Sequence, residues 1–258
     1  MLKFSITTHF SASNALVIDG LVKRGMKPEF IIIQKSSALS KNPLKKFVQS
    51  QFLRFTACRG YSEWKALRAS RRVIEDADYK RFFVGMAKRL EELNLKKYSP
   101  DTKVIFTPNV NQDEKVEGCL KTQDILLVFG GKILKANIFE APKSGTYNLH
   151  NTLLPLFQGM GAIYKILEMY RLDNFNGITL HRVDSGVDTG EKIAQRHLPR
   201  KINESLESLN RRTFLNGLDL VFDFLHGQTR IQSPFKNETA IRLKQIPKLS
   251  TFQHSSAR

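Results

Sequence analysis

Asn148 and His150 stand two residues apart in Asn148-Leu149-His150-Asn151-Thr152-Leu153-Leu154-Pro155. An extended chain sends alternate side chains to opposite faces, so a strand ending here puts both on one side. A second extended run, from Gly177 to His181, leads into Arg182-Val183-Asp184-Ser185-Gly186-Val187-Asp188-Thr189-Gly190, a glycine-punctuated loop with two carboxylates. A carboxamide, an imidazole and a carboxylate brought together can hold an oxygen as it turns negative, carry a proton and orient the carrier. That combination suits acyl transfer. An amide donor aimed at the forming oxyanion contributes roughly 3 kcal/mol. Asn and Asp also satisfy turn backbones, and a buried His often only bonds a carbonyl. The pairing of Asn148 with His150 is what points to chemistry.

These groups need rigid elements to position them. Residues 3 to 10 read as a first strand. Ser11-Ala12-Ser13-Asn14 opens a helix to about Arg24, closed by Gly25, and 28–34 form a short apolar strand of the buried type. This strand–helix–strand opening predicts an α/β fold, a Rossmann-like, mostly parallel sheet with flanking helices. Residues 103–106 and 124–129 read as further buried strands, and Ile193 and Gln195 as part of another. Asn111 reads as a helix cap with Glu114 as its partner, and Asn203 as the cap of a last helix stopped by Gly227. A helix is expected from Ala162 to Tyr170. The division expected is a catalytic domain over 1–227 and a polar tail over 228–258.

The chain has 258 residues, 41% of them hydrophobic, and a formal net charge of +17. It can bury one sizeable core, and no apolar run is long enough to span a bilayer. Two cysteines, Cys58 and Cys119, without metal-ligand spacing suggest reduced thiols and a cytoplasmic location. The start reads as a strand rather than a signal peptide. The positive charge is dense over about 40–100, where an amphipathic helical insert is expected with a basic face. Such a charge suits a phosphate-bearing partner, although a solvated face would look the same. No phosphate-loop lysine motif, nucleophile elbow or zinc constellation is present.

The pattern Asn-x-His-x-Thr-Leu-Leu-Pro, then Gly-x-Thr-x-His, then Asp-x-Gly resembles the folate-dependent formyltransferases over residues 123 to 195. That family includes glycinamide ribonucleotide, methionyl-tRNA and sugar N-formyltransferases. The resemblance implies transfer of a formyl group from 10-formyltetrahydrofolate to a primary amine, without a metal, because the donor is already an activated formamide. It assigns Asn148 to the formyl oxygen. His150 would stabilise the oxyanion and protonate the leaving nitrogen. Asp188, rather than Asp184, would support His150 and order a proton-accepting water. The pterin is expected against Phe129, Gly130, Gly131, Lys132, Ile133 and Leu134, with Val183, Asp184 and the loop to Asp188 as the other wall. Ser13 and Asn14 match a substrate-phosphate turn, with Ala12 in place of the family's glycine; capping of the helix is the alternative there. His181 also fits the motif, though a His at a strand end is more often structural.

The acceptor favoured by charge and length is an amino sugar carried on a nucleotide. The stretch after Gly227 is shorter than the second domain of the transfer-RNA-directed relatives, which weighs against methionyl-tRNA. A formyltetrahydrofolate hydrolase and a basic nucleic-acid-binding module are the other readings. Nucleic acid is not favoured as a partner, since no aromatic-interleaved RNA motif is present. A homodimer is compatible with the sequence.

Overall fold

The computed structural model describes residues 2–9, 12–34, 101–159 and 173–227. The expected basic insert at 40–100, the helix from Ala162 to Tyr170 and the tail at 228–258 lie outside the described residues, as does the Ser13 side chain.

Seven strands form one sheet: β1 Phe4–His9, β2 Phe30–Gln34, β3 Lys103–Thr107, β4 Ile125–Phe129, β5 Thr146–His150, β6 Gly177–Arg182 and β7 Lys192–His197. Their spatial order is β3-β2-β1-β4-β5-β6-β7. The first five run parallel, and β6 and β7 are added antiparallel. The chain therefore builds outward from β1 to β3 and then crosses back to the other side of β1. That reversal opens a crevice at the carboxyl ends of β1 and β4, where open α/β sheets take ligands. The described helices are α1 Ala12–Lys23, α2 Glu114–Leu120, the short α3 Ala136–Phe139 and α4 Leu206–Leu225.

Period-two alternation divides the core. Along β4, Ile125, Leu127 and Phe129 join a cluster with Tyr147 and Leu149 of β5, Ile178 and Leu180 of β6, and the apolar faces of α1 and α4. Leu126 and Val128 face the other way, onto Val116 and Leu120 of α2 and Ile138 and Phe139 of α3. β4 is buried on both faces, hence its unbroken apolar sequence. Because Tyr147 and Leu149 point to the α1/α4 layer, Asn148 and His150 must point to the opposite face. Their partners across the antiparallel β5–β6 pair are His181 and Thr179, which share that face.

Two capping expectations are corrected. α2 is capped by Asp113, whose carboxylate accepts from the Val116 N–H at 3.2 Å. Asn111 instead lies in a 3₁₀ turn, where its carboxamide donates to Ile133 O at 2.9 Å and accepts from Lys135 N at 2.8 Å. α4 is capped by Ser205, which accepts from Ser208 N at 3.1 Å. Asn203, at φ 61, sits in the left-handed region of the preceding turn. In both places a polar residue nearer the first helical turn wins, since a cap must reach an N–H two or three residues on.

Candidate active site

His150 ends β5 and is almost fully buried. Its Nε2 lies 2.9 Å from Phe157 O, so that nitrogen carries the hydrogen and donates to the carbonyl. The other ring nitrogen, Nδ1, faces Asp188 Oδ2 at 3.6 Å. Proton exchange at His150 therefore runs through Nδ1. Burial lowers the His150 pKa below its ordinary 6.5; the Asp188 charge and the Phe157 carbonyl oppose that effect without cancelling it. His150 is neutral at rest, ready to take a proton at Nδ1.

Asp188 has φ 54, uncommon for a residue with a side chain. Burial alone would raise its pKa. His181 beside it, the charge His150 takes up once protonated and a 2.8 Å bond from the Gly159 N–H outweigh burial and hold the carboxyl at about 2. It is ionised throughout the ordinary pH range.

His181 joins the same cluster. Its Nδ1 donates to Arg182 O at 2.9 Å. In the neutral ring Nε2 then accepts from Asn148 Nδ2 at 3.1 Å; when protonated, it donates to Asp188 Oδ1, 3.5 Å away. The second N–H of Asn148 reaches Asp188 Oδ1 only at 3.4 Å, a long contact. That N–H is the one most easily turned to an incoming oxygen. The sequence motif included His181 but left it with a structural alternative; the cross-strand register opposite Asn148 is what brings it into the cluster.

The turn after β5 is held from beneath. Leu154–Pro155 is a cis peptide. Thr179 Oγ1 donates to Thr152 O at 2.7 Å and accepts from Leu154 N at 3.1 Å, and Gln195 Nε2 donates to Leu154 O at 2.6 Å. Thr152 Oγ1 donates to Phe157 O at 2.8 Å. Leu153, Leu154, Leu156 and Phe157 are buried and exclude water from that side.

The segment after β4 borders the crevice. Gly130 and Gly131 have φ 67 and 135, which glycine adopts without strain. Lys132 N donates to Gln34 Oε1 at 3.1 Å, and Asn111 pins Ile133 and Lys135. Leu134 is buried, but Ile133 is 72% exposed. Val183 packs on the core cluster that contains Val128 and Leu134. The result is a braced shelf with bare backbone and one free apolar side chain, which suits a flat heteroaromatic ring.

Asp184 and Asn14 also have local work. Asp184 Oδ1 accepts from Gly186 N at 3.0 Å and Thr189 Oγ1 at 2.6 Å, folding its own loop. Asp184→Asn is expected to keep activity within about threefold of wild type, because an Asn oxygen accepts the same bonds; equal kcat/KM losses in Asp184→Asn and Asp188→Asn would contradict this. Asn14 is buried, and its Nδ2 donates to Phe129 O at 2.6 Å and His9 O at 3.3 Å. Its amide nitrogen ties α1 to the ends of β1 and β4.

Residues 68–220 match the profile of the formyl transferase family. The chain belongs to that family. The match begins within the basic segment, well before the motifs that carry the sequence resemblance. A methionyl-tRNA formyltransferase from Kosmotoga olearia is 33% identical over 124 residues, 47% of this chain and 39% of that protein. The formyl transferase chain thus spans about two fifths of the length of this curated relative. In fold, it resembles phosphoribosylglycinamide formyltransferase from Streptococcus pneumoniae, with a TM-score of 0.53, 18% identity, and coverage of 88% of this chain and 98% of that one. It also resembles a sugar N-formyltransferase from a Shewanella species, with a TM-score of 0.54, 12% identity, and coverage of 93% and 76%. Among the described residues, no helix is long and apolar enough to cross a membrane, and no group of three or more His, Cys, Asp or Glu could hold a metal ion.

Proposed function

We propose that this chain transfers a formyl group from 10-formyltetrahydrofolate to a primary amine on a phosphate-bearing acceptor, an amino sugar carried on a nucleotide. The observation that carries the reading is the meeting of Asp188 with His150 and Asn148, distant in sequence, at the carboxyl end of β5. Family membership supplies the reaction class. The pinned, glycine-opened shelf from Phe129 to Leu134, with Val183 packed on the same cluster as Leu134, is chemically suited to the pterin.

The chemistry follows from proton positions. Asn148 turns its loosely held N–H to the formyl oxygen as the amine adds and the oxygen becomes negative. The neutral Nδ1 of His150 accepts the proton that the amine sheds, directly or through water held by Asp188. The imidazolium so formed stands beside a permanent carboxylate, which stabilises it. His150 then returns the proton to the departing folate nitrogen. Asn148, His150 and Asp188 thus act as a unit, with His181 ordering the Asn148 amide.

This cycle begins with neutral His150, so the acid limb of kcat/KM is expected to have its midpoint below 6.5, the ordinary histidine value. Asp188→Asn should move that midpoint lower still, since the aspartate charge is what favours the charged ring. A midpoint above 7 in wild type would contradict the assignment. Stability has the same sign. The unfolded chain protonates this histidine near 6.5 and the folded one only at lower pH, so folding weakens as pH falls through that range. The Asp188 contribution is present above the ordinary 3.8 and lost as pH falls towards about 2.

The net charge of +17 supports an anionic acceptor. A second reading, methionyl-tRNA as acceptor, is favoured by the 33% identical relative. Formyl transfer measured against a panel of nucleotide-linked amino sugars and against methionyl-tRNA separates the two. Formate release with no amine present would instead support a hydrolase.

A further inference from the structure

We propose that Gln158 is a positioning residue: its side-chain amide holds the backbone of Asp188 so that the carboxylate faces His150. The proposal rests on the formyl-transfer reading above. Gln158 Nε2 donates to Asp188 O at 3.1 Å, and the next residue donates from Gly159 N to Asp188 Oδ2 at 2.8 Å. One bond fixes the peptide and the other the carboxylate. Asp188 needs both, because its left-handed backbone persists only where its surroundings over-determine it.

The preceding residue completes a caliper. Phe157 O receives the hydrogen of His150 Nε2 at 2.9 Å. The short stretch 157–159 therefore grips His150 through one carbonyl and Asp188 through a side chain and an N–H. The 3.6 Å gap between Nδ1 and Oδ2 is set by that stretch rather than by the loop from Val183 to Gly190 alone. Two of its three bonds use backbone atoms that survive substitution. Gln158 supplies the one that a point change can remove. Among the described residues, the titratable groups facing the Asp188 carboxylate are His150 from β5 and His181 from β6, whose ring centroids lie 6.2 Å apart. A loosened Asp188 is therefore read out at His150.

The test compares Gln158→Met, nearly the same shape without a donor, with Gln158→Lys, which restores one. Gln158→Met is expected to lower kcat about tenfold, with the KM for 10-formyltetrahydrofolate within about threefold, because a displaced carboxylate costs orientation rather than binding. Gln158→Lys should recover most of that kcat. The His150 C–H proton resonance, assigned against His150→Asn, should titrate at lower pH in Gln158→Met than in wild type. Should Gln158→Met not fold, Gln158→Ser, too short to reach Asp188 O, makes the same comparison. Unchanged kcat and an unchanged His150 midpoint overturn the proposal, as does a Gln158→Lys variant no faster than Gln158→Met. If wild type formylates no amine, the formyl-transfer reading fails by itself, and the His150 midpoint still decides the role of Gln158.

Discussion

Alanine at His150 is expected to lower kcat/KM for formyl transfer by about 1,000-fold, the combined size of a lost proton carrier and a lost charge stabiliser. Asn148→Ala should cost about 100-fold, as expected for one oxyanion donor. Asp188→Ala should fall between them, because it removes the charge that favours protonated His150 and the acceptor that orders it. The fold should survive in each case. Phe157 O keeps its bond from Thr152 Oγ1 when the imidazole is gone, so no buried carbonyl is orphaned. Asn148 is only partly buried, and Tyr147 and Leu149 on the other face of β5 carry the packing. Circular dichroism and thermal melts check the fold, and steady-state kinetics check the losses. Wild-type rates in any two of the three variants would remove the mechanism.

The second large effect concerns stability. A Cβ built on Gly190 would lie 1.9 Å from the backbone oxygen of Arg182. Neither atom can give way cheaply: Arg182 N is bonded to Glu191 O at 2.8 Å, and Arg182 ends β6. Gly190→Ala must open the neck of the loop that carries Asp188. The expected cost is about 3 kcal/mol of folding stability, the upper end of the usual range for overpacking, because the clash is with backbone. A drop in Tm should accompany a fall in kcat like that of the Asp188 variants, because the loop and its carboxylate move together. A Gly190→Ala protein with wild-type Tm would show that the neck is looser than described. This contact also gives the Asp-x-Gly spacing a physical reason. The carboxylate must stand where the chain turns back against its own strand, and only glycine passes there.

Much of this site was legible in the sequence because its signals were local. Alternation put Asn148 and His150 on one face, and the family resemblance singled out Asp188 from the glycine-punctuated loop. The unbroken apolar run of β4 read directly as a buried parallel strand. What was left open or hidden depends on register or on distant partners. His181 joins the cluster because β6 pairs antiparallel with β5 and sets it opposite Asn148. Asn111 looked like a helix cap because its type fits one; its real partners, Ile133 and Lys135, lie on another loop. Asn14 fits a phosphate turn by type, yet its amide nitrogen is taken by two carbonyls at the strand ends. A short polar side chain satisfies whichever backbone group comes near, and that choice is made by tertiary structure.

The most direct test of the three groups acting as one is a double-mutant comparison of single-turnover formyl transfer in wild type, His150→Ala, Asp188→Asn and the double variant. If the aspartate works through the imidazole it faces at 3.6 Å, the double variant loses no more than His150→Ala alone. Losses that multiply would mean the two side chains act independently, and the proposed proton path through Nδ1 would be wrong.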